Sequence, residues 1–60
     1  MPQVLYIVYA EDIPTVEEIL KSNFITYSIG TKAQYIEVPK TDAEEVIELL
    51  KDYNIEFDVL

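Results

Sequence analysis

The sequence contains few side chains that could carry out catalysis. It has no cysteine and no histidine, so the thiolate ligands of metal sites and the commonest general base are both missing. Without them, no conventional nucleophile–base pair can be assembled around the serine and threonine hydroxyls. We therefore expect a protein that is not an enzyme and that binds no cofactor.

Carboxylates are the abundant charged groups. Twelve acidic residues outnumber four lysines, and the net charge is -8. Glu44, Glu48 and Asp52 recur at helical spacing and could together hold a divalent cation, but nothing enforces a coordination geometry, so we interpret them as a solvated helix face. The charge disfavours nucleic acids and anionic membranes, because phosphate contacts need Lys or Arg. It is compatible with a basic protein partner, and equally with solubility alone.

Four segments have the hydrophobic pattern of β-strands. Residues 4–9 form a continuous apolar and aromatic run, which predicts a central strand with both faces buried. Residues 24–29, 33–38 and 55–60 alternate with period two and predict three more strands. The turn Gly30-Thr31-Lys32 separates the second strand from the third, and we expect a positive φ at its glycine.

Two helices lie between these strands. Thr15-Val16-Glu17-Glu18 and Thr41-Asp42-Ala43-Glu44 both match the capping box, in which Thr caps the helix and Glu follows three residues later. We therefore predict one helix from Thr15 to about Ser22. A second, longer helix is predicted from Thr41 to about Tyr53.

The resulting element order is β-α-β-β-α-β, and the two halves resemble each other. Val16–Lys21 aligns with Val46–Lys51, for example. Two βαβ units with right-handed crossovers give the ferredoxin-like split βαβ fold. The prediction is a single α+β domain over residues 1–60, with a four-stranded antiparallel sheet in the order 4-1-3-2 and both helices on one face. A swapped or otherwise rearranged dimer of the same elements is the alternative.

We predict that the hydrophobic core consists of the apolar residues that face the helices in this fold. They are Leu5, Ile7, Val16, Ile19, Leu20, Ile25, Tyr27, Ile29, Ile36, Val38, Val46, Ile47, Leu50, Ile55, Phe57 and Val59. A chain of this length buries only about 60% of the surface that its unfolded form exposes. With no disulfide to help, oligomerisation is the remaining way to add buried surface.

The other face of the predicted sheet is the candidate interaction surface. It carries an apolar and aromatic centre with acidic residues around it, and we predict an interface made of Val4, Tyr6, Val8, Tyr35, Glu37, Glu56, Asp58 and Leu60. Tyr6 and Tyr35 lie on adjacent central strands, which resembles the placement of the base-stacking aromatics in RNA-recognition-motif domains. The glycine-and-aromatic motif of that family is missing from the third strand, and the acidic residues would repel phosphate, so we do not expect RNA binding.

These features favour a small acidic, non-enzymatic protein-binding module that acts through the open face of its sheet. By analogy, short chains of this kind are often adaptors or inhibitors in viruses and plasmids. We expect a homodimer or docking on a larger protein. One alternative is an acidic, nucleic-acid-mimicking inhibitor of a DNA- or RNA-binding enzyme. Another is a small-molecule-sensing regulatory dimer like the ACT domains. Met1-Pro2-Gln3 lacks the basic start of a signal peptide, so we expect a cytoplasmic protein.

Overall fold

The computed structural model describes residues 1–30 and 33–60. Its elements are β1 (Gln3–Ile7), α1 (Ile13–Ser22), β2 (Ser28–Ile29), β3 (Tyr35–Val38), α2 (Ala43–Asp52) and β4 (Phe57–Val59). One turn of 3-10 helix precedes each α-helix, at Ala10–Asp12 and at Lys40–Asp42. Thr31 and Lys32, which belong to the predicted turn, lie outside the described residues.

The four strands form one antiparallel sheet in the order β2-β3-β1-β4. This is the predicted order read from the opposite edge, so the predicted α+β fold is confirmed. Leu5 pairs with Ile36 on β3 and with Val59 on β4. Because side chains alternate between the two faces of a strand, this register directs Leu5 and Ile36 towards the helices and leaves Tyr6 on the other face.

The core lies between the sheet and the two helices. Its buried members are Leu5, Ile7, Ile13, Val16, Ile19, Leu20, Ile25, Ile36, Val38, Val46, Leu50 and Ile55. Tyr27, Ile47, Leu49 and Phe57 are partly buried against this cluster. Ile13 is a core residue that the sequence pattern did not identify.

Besides the partly buried Tyr27 and Ile47, three predicted core residues on the edge strands are less buried than expected. Ile29 is 40% exposed and Val59 is 51% exposed, because they lie on the two edge strands of the sheet. Phe57, on the edge strand β4, is only half-buried. Two short helices cover the central strands well and the edges poorly.

The predicted helix starts are wrong. Asp12 and Asp42 occupy the N-cap positions, and neither makes a side-chain capping hydrogen bond. Helix α1 therefore takes in Ile13 and Pro14 before Thr15, which is possible because proline fits the first turn of a helix. In place of a capping box, each helix continues directly from its 3-10 turn.

The strands are shorter than predicted, and β2 shrinks to Ser28–Ile29. For β2 and β4 the reason lies at the helix ends, where Phe24 and Asn54 adopt positive φ values of 58° and 59°. Each residue ends its helix in the left-handed conformation and turns the chain back towards the sheet. The next residue in each case, Ile25 or Ile55, is buried in the core without being part of a strand.

Gly30 does not have the expected positive φ. Its N–H donates a hydrogen bond of 2.7 Å to the carbonyl of Tyr35, and a Cβ at this position would lie 3.1 Å from the Cβ of Tyr35. Glycine thus allows a close approach of two chain segments here, and any larger residue would require Tyr35 to shift by a few tenths of an ångström.

Replacing Ile7 tests the core directly, because its side chain is fully buried. Ile7→Ala should lower the free energy of unfolding by about 2–5 kcal/mol, which is a large part of the stability of a small domain. Ile29→Ala is the matched control, since this isoleucine is 40% exposed and should cost at most about 1 kcal/mol. Urea titrations of both variants measure the difference. Equal losses would contradict the register.

Candidate protein interface

The face of the sheet turned away from the helices, called the open face here, gathers the predicted interface residues. Tyr6 pairs with Tyr35 on one side and Asp58 on the other, and Val4 pairs with Glu37. Two backbone hydrogen bonds continue the β1–β4 pairing beyond β4, from Leu60 N–H to the Val4 carbonyl at 3.0 Å and from Val8 N–H to the Glu56 carbonyl at 3.1 Å. The predicted residues therefore occupy neighbouring positions.

Tyr6 and Tyr35 form the centre of this face. Their ring centroids are 5.1 Å apart and the ring planes are inclined by 55°, within the range of favourable aromatic pairs. Both residues are half-buried in the isolated chain. The packed pair presents an ordered aromatic surface, so covering it would cost little conformational entropy.

Gln34 holds one end of this aromatic pair. Its side-chain amide donates to the carbonyls of Ile7 at 2.9 Å and Val8 at 3.1 Å, and it lies 3.3 Å from the Tyr6 hydroxyl. One side chain thus fixes the end of β1 and the polar tip of Tyr6. No sequence pattern indicates this role, because Gln34 is an ordinary polar residue at a strand end.

Gln3 has a similar role at the opposite end of β1. Its side-chain amide donates to the Leu60 carbonyl at 2.8 Å and to the Val4 carbonyl at 3.2 Å. Together with the backbone bond from Leu60 to Val4, this contact keeps Leu60 beside β1. The Leu60 side chain is 62% exposed and extends the apolar part of the open face.

Acidic groups surround the aromatic centre. Glu37 is half-buried, whereas Glu56 and Asp58 are exposed. The lysines that the structure describes lie elsewhere, on the last turns of the two α-helices and in the second 3-10 turn. The open face therefore combines an apolar centre with a negative rim.

Phe24 is a feature that the sequence analysis placed in a strand. It lies at the end of α1 and is 96% exposed, although it adopts the left-handed conformation that bulky residues rarely enter. The sequence could have indicated this unusual turn, because an aromatic residue stands just after a helix, where glycine or asparagine is usual.

A groove of about 470 Å³ opens at the end of the sheet where β1 begins and β3 ends. Its lining includes Pro2, Thr26, Tyr27, Glu37, Val38 and Pro39. We call it the end groove. In its wall, the Tyr27 hydroxyl donates a 2.7 Å hydrogen bond to Oε1 of Glu17, which fastens the segment before β2 to α1.

Residues 1–30 and 33–60 contain no cluster that could bind a metal ion and no helix that could span a membrane. Within these ranges no three Asp or Glu side chains come together in a group that could hold a metal ion, so Glu44, Glu48 and Asp52 do not converge. Neither α-helix has the length and apolar character that crossing a bilayer requires.

Comparisons of the chain with protein-family models, with curated proteins and with solved structures found no match. The function is therefore inferred from the geometry and chemistry of the protein's surfaces.

The bond between Tyr27 and Glu17 makes stability depend on pH at the alkaline end. This hydrogen bond raises the pKa of Tyr27 above its ordinary value, and desolvation and the nearby carboxylates act in the same direction. Because the folded-state pKa is the higher one, the stabilisation is complete below about pH 10 and is lost as pH rises through the folded-state pKa. The melting temperature of the parent should exceed that of Tyr27→Phe at neutral pH, and this advantage should disappear in alkali.

Thermal melts from neutral pH to about pH 11 measure this difference. Tyr53→Phe is the matched control, because Tyr53 is 57% exposed and should melt like the parent throughout. A constant gap between the parent and Tyr27→Phe across the whole range would show that the hydroxyl is not linked to folding.

Proposed function

We propose that this protein is a small acidic binding module without enzymatic activity, which docks through its open face on another protein as an adaptor or inhibitor. The observation that carries the proposal is the Tyr6–Tyr35 pair, with centroids 5.1 Å apart, at the centre of an apolar area with an acidic rim. Soluble proteins seldom leave a contiguous apolar area exposed unless it serves a partner.

The layout of the open face matches the anatomy of a protein interface. Such interfaces have an apolar, aromatic centre that becomes fully desolvated and a polar rim that stays in water. Tyrosine is among the residues that contribute most to binding, because it buries a large ring while keeping a hydroxyl for one hydrogen bond. This centre extends along β1 through Val4 and Val8, and towards β4 through Leu60.

The charges of the open face favour a partner with basic residues around an apolar pocket. Glu37, Glu56 and Asp58 would lie opposite those basic residues, which speeds association and excludes acidic surfaces. In a homodimer through the same face, two acidic rims would approach each other, and repulsion would weaken the contact. Docking on a larger protein is therefore the form that we favour.

Replacing either tyrosine by glutamate tests this proposal, because each change places a charge in the aromatic centre. Tyr6→Glu and Tyr35→Glu should each weaken partner binding by at least about 30-fold, as expected for a central interface residue. Tyr53→Glu is the control, since it introduces the same charge at an exposed tyrosine just after α2. A partner captured from host extract, then purified, allows the dissociation constants to be measured by calorimetry.

The outcome of that measurement separates the open face from other surfaces. Unchanged affinity of Tyr6→Glu, with melting behaviour showing an intact fold, would exclude the open face as the binding surface. If no protein is captured but the parent sediments as a dimer that Tyr6→Glu dissociates, the open face serves self-association instead.

Salt dependence tests the role of the rim. Changing Glu37, Glu56 and Asp58 to their amides should slow association several-fold and leave dissociation almost unchanged, because rim charges act mainly on the encounter. Raising the salt until the Debye length falls below about 8 Å should have the same effect on the parent. Stopped-flow kinetics with the purified partner measures both rates. Loss of nearly all affinity, with a nucleic-acid-binding enzyme as the captured partner, would favour the nucleic-acid mimic instead.

A further inference from the structure

Phe24 is unfavourable in two independent ways. Its φ of 58° lies in the region where the Cβ of an L-residue crowds its own backbone, and its ring is 96% exposed to water. The second half of the chain makes the same turn with Asn54 at a φ of 59°, and asparagine tolerates this conformation. The turn itself therefore does not require an aromatic residue, and strained residues of this kind concentrate at functional sites.

The end groove lies at the same end of the molecule as Phe24. Val38 pairs with Gln3, and Ser28 pairs with Glu37, so residues that precede Ser28 lie beyond the end of β3. Thr26 lines the end groove and is only two residues from Phe24. The exposed ring of Phe24 and the apolar end groove therefore lie at the same end of the molecule.

We propose that two copies of this chain form a twofold dimer in which Phe24 of each copy enters the end groove of the other. A twofold contact uses the same surface of both copies, which is possible because the ring and the groove share one end. The volume of about 470 Å³ lies within the range of pockets that take drug-sized ligands and accommodates a phenyl ring. Pro2, Val38 and Pro39 give it apolar walls.

Charge also favours this end over the open face for self-association. The carbonyl of Lys21 accepts the hydrogen bond from Phe24 N–H, so a lysine lies one turn from the ring. Glu37 and Lys40 line the end groove. In the dimer, Lys21 of one copy approaches a groove that holds both Glu37 and Lys40, so opposite charges meet as well as like ones, whereas the open face offers only carboxylates to a second copy.

The proposed contact shares Glu37 with the rim of the open face but does not include the Tyr6–Tyr35 pair, and its test uses the protein alone. Sedimentation equilibrium up to millimolar concentration should show a reversible dimer for the parent. Phe24→Asn, which copies the residue of the second half, should weaken dimerisation at least 30-fold. Its melting temperature at dilute, monomeric concentration should rise, because the strained aromatic is removed. The Phe24→Asn/Asn54→Phe double variant has the parent's composition with the ring moved to the other helix end, and it should stay monomeric.

A mixing experiment identifies the groove as the receptor. Thr41→Trp places a large side chain in the lining of the groove at an exposed position, and it should also prevent dimerisation. Ser28→Trp serves the same purpose if Thr41→Trp does not fold. The blocked variant keeps its Phe24 and Phe24→Asn keeps its groove, so a mixture of the two restores one of the two reciprocal contacts. The mixture should therefore associate more strongly than either variant alone.

Several results would overturn the dimer. A parent that stays monomeric at millimolar concentration would exclude it, and so would a Phe24→Asn variant that dimerises like the parent. Mixed variants that associate no better than each variant alone would show that the ring does not enter the groove. A dimer that Tyr6→Glu dissociates and Phe24→Asn does not would place self-association on the open face.

Discussion

The antiparallel pairing of β1 with β3 determines which side chains lie in the core and which lie on the open face. Leu5 opposite Ile36 and Tyr6 opposite Tyr35 send one set of side chains to the helices and the next set to the open face. A shift of this register by one residue would exchange the two sets, burying tyrosines and exposing the core. The stability of the fold and the chemistry of its outer face therefore depend on the same pairing.

Hydrophobic periodicity was sufficient to predict this arrangement. The alternation in the segments around Ile36 and Phe57 identifies strands and their inner faces, and the order of strands and helices limits the topology. The burial of residues on the edge strands was harder to predict. Ile29 and Val59 have the alternating pattern of core residues whether or not a helix covers them. Their exposures of 40% and 51% depend on helix length and placement, which local sequence does not specify.

Local turn chemistry was the other limit of sequence-based prediction. Thr15 and Thr41 match a capping pattern, yet a 3-10 turn leads into each helix and moves the N-cap to Asp12 and Asp42. Burial of Ile13 in the core stabilises the earlier start of α1, and this tertiary contact is not visible in a four-residue motif. The residues proposed for the open face were found from strand parity alone, whereas the supporting hydrogen bonds of Gln34 and Gln3 required the structure.

The similarity between the two halves of the chain gives Phe24 its significance. Both helices end with the same backbone pattern, in which Ile25 and Ile55 each donate a 2.9 Å hydrogen bond to the carbonyl of Leu20 or Leu50. Because the backbone geometry is the same at both turns, Phe24 and Asn54 differ only in their side chains. The comparison therefore shows that the turn does not require an aromatic ring, whose presence concerns the surface. Asparagine satisfies the turn. The ring, 96% exposed, adds strain and hydrophobic surface to the monomer, and the proposed association with a second copy would bury that surface.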